Sequence, residues 1–220
     1  CSVATVFEKA WNHNYVPEGC PSSSIVTLNF NETPKNKSNV ELVWMDGGLR
    51  PSHPKLIPAD DFLGEKYSRN GVLMIGEKGV ISCGTYGMNP KLYRNGEKTI
   101  LYNTDKNGER QPELDFIHHK AWVDACKSGY NSNEHKILTA SFDYAGPFTE
   151  AVLMGNLAIR SYMLIGTKSP KYSPNTVHVS EHDNYIGRKK LLWDGKSMKI
   201  TNFDLANQFV GRVSRPGWKI

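Results

Sequence analysis

Apolar and polar residues alternate with a period of two along several short segments, which is the pattern of half-buried β-strands. In residues 24–31, for example, Val26, Leu28 and Phe30 fall on one side of the chain and the residues between them on the other. The pattern predicts strands at residues 2–7, 24–31, 40–45, 71–75, 80–86, 176–181, 190–193 and 198–201. Turn-forming residues separate neighbouring strands, so hairpins and antiparallel pairing are favoured.

Two longer segments show the helical period of about 3.6 residues. The first spans residues 112–128, begins with Pro112 and is followed by Gly129. The second spans residues 147–166, between Pro147 and Gly166, and is apolar almost all the way round. Because such a helix has no wide polar face, we expect it to be buried. A shorter terminal helix is expected at residues 204–209.

The helix at residues 147–166 has two features of its own. Gly155 in its middle predicts that another backbone approaches closely, since glycine weakens a helix interior. Thr149, Asn156 and Arg160 are seven and four residues apart and form a narrow polar stripe. In a buried helix these three side chains would make hydrogen bonds that hold it against a sheet.

Together these elements predict an α+β fold, a large and mostly antiparallel sheet with helices packed on one face. No alternating strand and helix rhythm is present, so a parallel sheet is not expected. The 220 residues are predicted to form a single domain, which is long enough to bury a stable core without disulfide bonds or structural metal ions. Residues 49–70, with Pro51, Pro54 and Pro58, read as a long loop, and residues 89–111 as a polar, turn-rich excursion.

The composition excludes several classes of function. The chain has 27 basic and 22 acidic residues, but no basic cluster interleaved with aromatic residues, so nucleic-acid binding is not expected. The nearest approach to a basic cluster is the run of Arg188, Lys189 and Lys190, which is interpreted as the solvent-exposed edge of a strand or turn. No apolar run reaches the roughly 20 residues that a membrane span requires, so neither a membrane span nor a signal peptide is expected in this sequence.

The four cysteines are Cys1, Cys20, Cys83 and Cys126, and they form no CxxC pair. A zinc ribbon is therefore not indicated, and reduced, buried cysteines are the expectation, although an exported protein could bridge one pair. The chain begins at Cys1 rather than methionine. We interpret it as a chain that has lost its own beginning rather than as an acylated lipoprotein.

A search for catalytic motifs finds little. The GxGxxG, HExxH and GxSxG motifs are absent, and His118 and His119 lack the spacing of a two-histidine metal clamp. The carboxylate pairs Asp60 with Asp61 and Glu181 with Asp183 lie in loops and read as solvated charges. We therefore predict no catalytic, cofactor-binding or metal-binding residue. The residues alone therefore predict a domain that binds a ligand or assembles with another chain.

Several blocks of the sequence nevertheless resemble a known family. In order, they are WMDGGLRPSHP, GVLMIGEKGVI, FIHHKAWVDACKSG, SFDYAGPFTEAVLMGNLAIR, KLLWDGKSMKITN, and a final ANQ followed by GW. They resemble the C-terminal domain of the glucose-fructose oxidoreductase, inositol dehydrogenase and MocA (Gfo/Idh/MocA) oxidoreductases, closest to the longer bacterial branch common in Bacteroidetes. The resemblance covers nearly the whole chain.

The resemblance implies an N-terminal Rossmann domain that holds NAD or NADP, followed by a C-terminal domain like that of glyceraldehyde-3-phosphate dehydrogenase. In that family the C-terminal domain shapes a sugar or polyol site, and the exposed face of its sheet builds dimers. The family's catalytic lysine lies in an EKP motif, which this sequence lacks, and its catalytic aspartate and histidine belong upstream of Cys1. The chain is therefore expected to be catalytically incomplete, with no cofactor site of its own.

The resulting prediction is the substrate-binding and oligomerisation domain of an NAD(P)-dependent oxidoreductase that acts on a sugar or polyol. Asp46, Arg50, His53 and His119 are the candidate substrate-binding residues. Each has an ordinary alternative: Asp46 would start the turn at DGG, Arg50 and His53 would be exposed, and His119 would be packed in the core. Trp44 could stack on a sugar ring, although its place on a strand favours core packing.

Two other functions remain open. One is the same half of an NAD-dependent glycosidase, in which the sugar is oxidised transiently so that its leaving group is eliminated. The other is a stand-alone, non-catalytic domain that binds carbohydrate or acts as a scaffold. Localisation is open between periplasm and cytoplasm, and the expected partners are the sugar or polyol substrate and further copies of the chain.

Overall fold

The computed structural model describes residues 2–4, 21–65, 70–101, 112–162, 164, 186–211 and 214–218. The contacts between residues group into two compact units, the first made of Cys1–Arg50 with Phe142–Ile220 and the second of Pro51–Ser141. The single domain over residues 1–220 stays a prediction.

The elements follow the chain in a simple order. The strands are β1 Ser2–Ala4, β2 Ser23–Phe30, β3 Val40–Met45, β4 Val72–Gly76, β5 Gly79–Cys83, β6 Lys91–Arg94, β7 Glu97–Ile100, β8 Trp193–Asp194 and β9 Lys199–Ile200. The α-helices are α1 Pro112–Ser128, α2 Asn133–Lys136 and α3 Phe142–Tyr162, and short 3₁₀ helices occupy Thr85–Gly87 and Asp204–Phe209. The predicted strand at residues 176–181 lies outside the described residues.

Every strand pairing within the described residues is antiparallel, so the α+β class is confirmed. The described residues do not form the single large sheet that was expected. They form a three-stranded sheet of order β1-β2-β3, a four-stranded sheet of order β4-β5-β6-β7 and a two-stranded sheet of β8 and β9. All neighbours within each sheet are consecutive in sequence, which is the meander that hairpins produce.

In the first unit, α3 packs on the face of β2 that carries Val26. Val26 is buried, and a Cβ at Gly155 would lie 3.8 Å from Val26 Cγ1, an ordinary contact with a side chain. The prediction that another backbone approaches the helix closely at Gly155 is therefore wrong. A close approach of two backbones occurs instead near the end of the helix, where a Cβ on Gly187 would lie 1.6 Å from the Ser161 carbonyl oxygen.

The helix α3 differs from its prediction at its start. It begins at Phe142 rather than Pro147, and Asp143 is the acidic residue of the first turn. Ser141, just before the first helical residue, belongs to the residue types that favour an N-cap. Pro147 is the sixth residue of the helix, so the hydrogen bond that an amide at this position would donate to the Asp143 carbonyl oxygen is absent. The predicted end at Gly166 lies outside the described residues.

The surface of α3 is also more exposed than predicted. Phe148, Val152 and Leu153 are each more than half exposed, so the expectation of a fully buried helix is wrong. The polar stripe of Thr149, Asn156 and Arg160 is exposed as well, and it does not make the buried hydrogen bonds that were expected. The Arg160 guanidinium instead lies 4.6 Å from the centroid of the Phe209 ring. Arg160 therefore contacts the terminal 3₁₀ helix rather than the sheet.

Two asparagine side chains hold the C-terminal hairpin of the first unit. Asn207 Oδ1 accepts the Ile200 amide at 2.8 Å, and Asn207 Nδ2 donates to the Ile200 carbonyl oxygen at 3.0 Å. Asn202 pairs in the same manner with the Leu192 amide and the Lys190 carbonyl oxygen, both at 2.8 Å. These side chains take the place of strand neighbours, which explains how strands as short as β8 and β9 persist.

In the second unit, β4 and β5 form the predicted hairpin, and β6 and β7 form one that was not predicted. Asn95 and Gly96 join β6 to β7 with φ angles of 53° and 78°. Positive φ at both central residues defines a type I′ turn, and Asn-Gly is its preferred sequence. The polar excursion predicted at residues 89–111 is therefore wrong over this part.

The core of the second unit lies between the four-stranded sheet and residues 51–65, called here the proline-rich segment. Ile57, Val80 and Tyr93 form the buried cluster, with Leu63 and Leu73 against it. The segment reaches this core through two successive turns. The Ile57 amide donates to the Pro54 carbonyl oxygen at 3.0 Å, and the Asp61 amide donates to the Pro58 carbonyl oxygen at 2.9 Å. The predicted loop is therefore ordered by turns over this range.

The helix α1 has the predicted bounds, and the face that carries His119 is exposed. Phe116 and Trp122 are 67% and 61% exposed, and His119 on the same face is also exposed. The interpretation of His119 as a packed core histidine is therefore wrong. Of the cysteines within the described residues, Cys83 is buried as expected, whereas Cys126 is exposed.

Candidate functional site

The residues of the WMDGG block meet at the end of β3, where Asp46 accepts three hydrogen bonds. The Ser24 amide donates to Asp46 Oδ1 at 2.6 Å, the Ser24 hydroxyl to Oδ2 at 2.8 Å, and the Trp44 indole Nε1–H to Oδ2 at 3.1 Å. Asp46 thus does start the turn, because its carbonyl oxygen also accepts the Leu49 amide at 3.2 Å. The carboxylate joins β2, β3 and the turn after β3.

The charge of Asp46 is stabilised by these contacts. Partial burial alone would raise the pKa of Asp46, but the hydrogen bonds from Ser24 and Trp44 outweigh it and hold the pKa below its ordinary value. An ionised carboxylate accepts stronger hydrogen bonds than a neutral group does. Asp46 therefore serves the local structure directly, and its position beside Trp44 makes it part of any surface that Trp44 presents.

Trp44 is 62% exposed, so the expectation that it packs in the core is wrong. Its indole Nε1–H is held by Asp46, which is itself held twice by Ser24. The ring is therefore presented to solvent in a fixed orientation. The flat apolar face of the indole can stack against the C–H face of a pyranose ring. The carboxylate beside it can accept hydrogen bonds from the hydroxyl groups of the same sugar.

Of the four predicted substrate-binding residues, Asp46 and Arg50 belong to the first unit, and His53 and His119 to the second. Arg50 and His53 are exposed, which is the alternative to substrate binding that was given for both residues. Within the second unit, the ring of His119 lies beside that of His118, with centroids 5.9 Å apart. Among the described residues, no group of three or more His, Cys, Asp or Glu side chains is placed to hold a metal ion.

His53 connects the two turns of the proline-rich segment. Its Nδ1 lies 3.3 Å from the Pro54 carbonyl oxygen and its Nε2 lies 3.3 Å from the Asp61 carbonyl oxygen. Both partners are acceptors, so a neutral ring, which has one N–H, can donate to only one of them. The position of the ring is therefore tied to the position of Asp61.

Asp61 is the centre of a polar cluster that sequence reasoning missed. Its carboxylate accepts the Tyr93 hydroxyl at 3.1 Å and the Lys98 ammonium at 2.9 Å, and the Lys91 ammonium lies 4.0 Å away. The interpretation of Asp61 as a solvated charge is therefore wrong, since its side chain is only 18% exposed. Its neighbour Asp60 is exposed, as expected. The cluster fastens the proline-rich segment to β6 and β7.

The electrostatics of this cluster favour recognition over acid–base chemistry. The hydrogen bond from Lys98, helped by Tyr93 and by the charge of Lys91, lowers the pKa of Asp61. Burial and the Asp61 carboxylate raise the pKa of Tyr93 to about 12. At neutral pH, Asp61 is therefore ionised and Tyr93 is neutral, and neither is poised to exchange a proton. The arrangement can hold a shape and present hydrogen-bonding groups.

The comparisons with known proteins identify no relative. The chain matches no protein-family model, and a search of curated proteins finds no sequence that is significantly similar. Within the parts of the chain that the structure describes, none of the helices has the length and apolar character needed to cross a membrane.

Proposed function

We propose that this chain is the substrate-binding and oligomerisation domain of an NAD(P)-dependent oxidoreductase that acts on a sugar or polyol. The observation that carries the proposal is the set of ordered sequence blocks from WMDGGLRPSHP to the final ANQ, which resemble the C-terminal domain of the Gfo/Idh/MocA family. In this proposal the chain has that domain's fold, like the C-terminal domain of glyceraldehyde-3-phosphate dehydrogenase. The dinucleotide and the catalytic lysine, aspartate and histidine belong to a preceding domain.

The geometry at the end of β3 supports a carbohydrate as the substrate. Trp44 offers an exposed indole whose orientation Asp46 holds through a 3.1 Å hydrogen bond. Because the ring is ordered before a ligand arrives, binding loses little side-chain freedom. Carbohydrates present both an apolar C–H face and hydroxyl groups. An indole next to a carboxylate matches both features.

Exposed apolar surface supports oligomerisation. The strand β3 exposes apolar residues of both its faces: Val40 and Leu42 lie on one face and Val43 on the other, and all three are at least 41% exposed. Val72 and Met74 of β4 are 46% and 56% exposed. Apolar side chains grouped on strands mark surfaces that commonly associate with other chains. In this proposal, a sheet face carries the contact with a second copy.

The test of the substrate class uses the protein expressed from its whole coding sequence. Reduction of NAD⁺ or NADP⁺ is followed at 340 nm with D-glucose, D-xylose and myo-inositol as probes, and with aryl glycosides in parallel. Trp44→Ala is expected to raise KM about fivefold or more, taking as the scale the roughly 1–3 kcal/mol that stacking of a nucleobase on an aromatic ring contributes. Trp122→Ala is the matched control, because Trp122 is equally exposed but lies on α1.

The outcomes separate the alternatives. Dinucleotide reduction by a free sugar supports the dehydrogenase, and release of the aryl group without net reduction supports the glycosidase. Sugar binding without any dinucleotide binding would make the chain a carbohydrate-binding domain instead. An unchanged KM in Trp44→Ala would remove Trp44 from the site.

A further inference from the structure

The carboxylate that orients Trp44 carries its negative charge among neutral donors. The Ser24 amide, the Ser24 hydroxyl and the Trp44 indole N–H all donate to Asp46, and none of these three groups is charged. Their hydrogen bonds hold the pKa of Asp46 below its ordinary value, so the carboxylate is ionised at neutral pH. They stabilise the negative charge without neutralising it. A ligand that stacks on Trp44 therefore lies beside an ionised carboxylate.

The side-chain donors of the same cluster are already used. Tryptophan has one donor, and in Trp44 this indole N–H is given to Asp46 Oδ2 at 3.1 Å. The Ser24 hydroxyl is given to the same oxygen at 2.8 Å, and Ser24 is only 1% exposed. An ionised carboxylate has about four lone-pair positions, of which three are occupied here. These side chains can therefore accept a hydrogen bond from a ligand but have no N–H or O–H group left to donate to it.

The carboxylate is close to every position of a sugar ring that stacks on the indole. Asp46 follows Trp44 by two residues, so both side chains lie on the same face of the sheet, and they are joined by a hydrogen bond. All substituents of a stacked pyranose then lie within about one Debye length of the charge, roughly 10 Å at 0.1 M salt. A carboxylate or phosphate on that ring is repelled wherever it is attached. A hydroxyl or ammonium group can instead donate to Asp46.

We propose that Trp44 and Asp46 together form a binding site for pyranoses that carry no negative charge, so that neutral and amino sugars bind and uronic acids and sugar phosphates are rejected. Trp44 supplies the stacking surface, and Asp46 supplies the acceptor and the charge that discriminates. The use of such a sugar as a substrate rests on the proposed function. The binding preference belongs to the 220-residue chain itself.

The first arm of the test measures sugar binding to the chain by NMR. Trp44→Phe identifies the Trp44 indole signal among the five tryptophans. Titration of that signal gives the dissociation constants of D-glucose, D-glucuronate, D-glucose 1-phosphate and protonated D-glucosamine. At low salt, glucose should bind about fivefold or more tightly than either anion, which is the repulsion expected of like charges several Å apart near a protein surface. The preference should nearly vanish at about 1 M salt, where charges are screened, and glucosamine should bind at least as tightly as glucose.

A pair of matched variants tests whether Asp46 is the source of the preference. In Asp46→Asn, the ratio of the glucuronate and glucose dissociation constants should fall toward one. Glu41→Gln changes the net charge equally, but Glu41 is exposed on the opposite face of β3, so this control should keep the wild-type ratio. If Asp46→Asn does not fold or binds neither sugar, the salt dependence of the wild type decides.

Three results of this arm would overturn the proposal. The first is equal or tighter binding of the anionic sugars by the wild-type chain. The second is an unchanged ratio in folded Asp46→Asn, or, where that variant cannot be measured, a preference that is the same at low and high salt. The third is a Trp44 signal that none of the sugars shifts.

The second arm measures kcat/KM for D-glucose and D-glucuronate, which differ only at C6, with the protein expressed from its whole coding sequence. The value for glucuronate should be about fivefold or more lower. Similar values would overturn the selection by charge and leave the proposed oxidoreductase intact. If no sugar reduces NAD⁺ or NADP⁺, the proposed function fails, and the binding preference of the chain alone decides whether Trp44 and Asp46 form this site.

Discussion

Replacing Asp61 by alanine should destabilise the sheet of the second unit by about 2–3 kcal/mol. The largest part comes from Tyr93, whose hydroxyl is buried and would lose its acceptor at 3.1 Å. An unsatisfied buried hydroxyl costs about 1–3 kcal/mol. The ion pair with Lys98 adds about 0–1 kcal/mol, because the lysine side chain is 40% exposed and its charge is screened by water.

Hydrogen exchange of the β5 and β6 amides, followed by NMR, measures the free energy of opening of this sheet separately from the first unit. The same substitution should be made in a Tyr93→Phe background. There the hydroxyl is already gone, so Asp61→Ala should cost only about 0–1 kcal/mol. The difference between the two backgrounds isolates the buried hydroxyl. Equal costs, within about 0.5 kcal/mol, would refute the reasoning.

The pH dependence of this effect has a defined sign. The pKa of Asp61 is lower in the folded protein than its ordinary value of 3.8, because Lys98 and Tyr93 favour the ionised form. Its contribution to stability is therefore complete above the ordinary pKa and is lost as the pH falls through the folded pKa. The difference in stability between the wild type and Asp61→Ala should shrink over that acid range. A difference that stays constant into strong acid would contradict the role of the ionised carboxylate.

Three further substitutions test other parts of the structure. Gly187→Ala should destabilise the first unit by about 3 kcal/mol or prevent its folding, since the new Cβ would lie 1.6 Å from a backbone oxygen. The control is Gly211→Ala, which has open space around its Cβ position and should leave the free energy of urea unfolding nearly unchanged. Asp46→Ala should cost about 1.5–3 kcal/mol near neutral pH and less in acid, where the carboxylate is protonated, and an equal cost at both pH values would contradict this. Asn207→Ala should cost about 1–2 kcal/mol through two lost backbone hydrogen bonds, with thermal unfolding as the measurement and no effect as the contradicting result.

Local signals in the sequence were enough for several elements. The strand β3 and the helix α1 have the predicted bounds, because alternation and the pair of Pro112 and Gly129 mark their ends clearly. The hairpin of β6 and β7 was missed because its strands are polar and its apolar residues do not alternate over a long run. Asn95 and Gly96 were the available signal. The start of α3 was misplaced because Pro147 was given more weight than Ser141 and Asp143.

Burial and long-range contacts were predicted less well. An apolar helix was taken to be buried, but periodicity says only which residues share a face and not what lies against it. Asp61 meets Tyr93 and Lys98 across 32 and 37 residues, and no local pattern reveals such a pairing. Once the hairpin is known, however, Tyr93 and Lys98 are direct cross-strand partners. The missing step was therefore the hairpin, from which the cluster could have been suspected.

In the proposed function, the chain works together with a dinucleotide-binding domain on a sugar or polyol. The most direct test is calorimetric titration of NAD⁺ and NADP⁺ into the protein expressed from its whole coding sequence. We predict saturable binding of one of the two dinucleotides by that protein and no binding by residues 1–220 alone. Absence of binding for both dinucleotides in the whole protein would contradict the proposed oxidoreductase function.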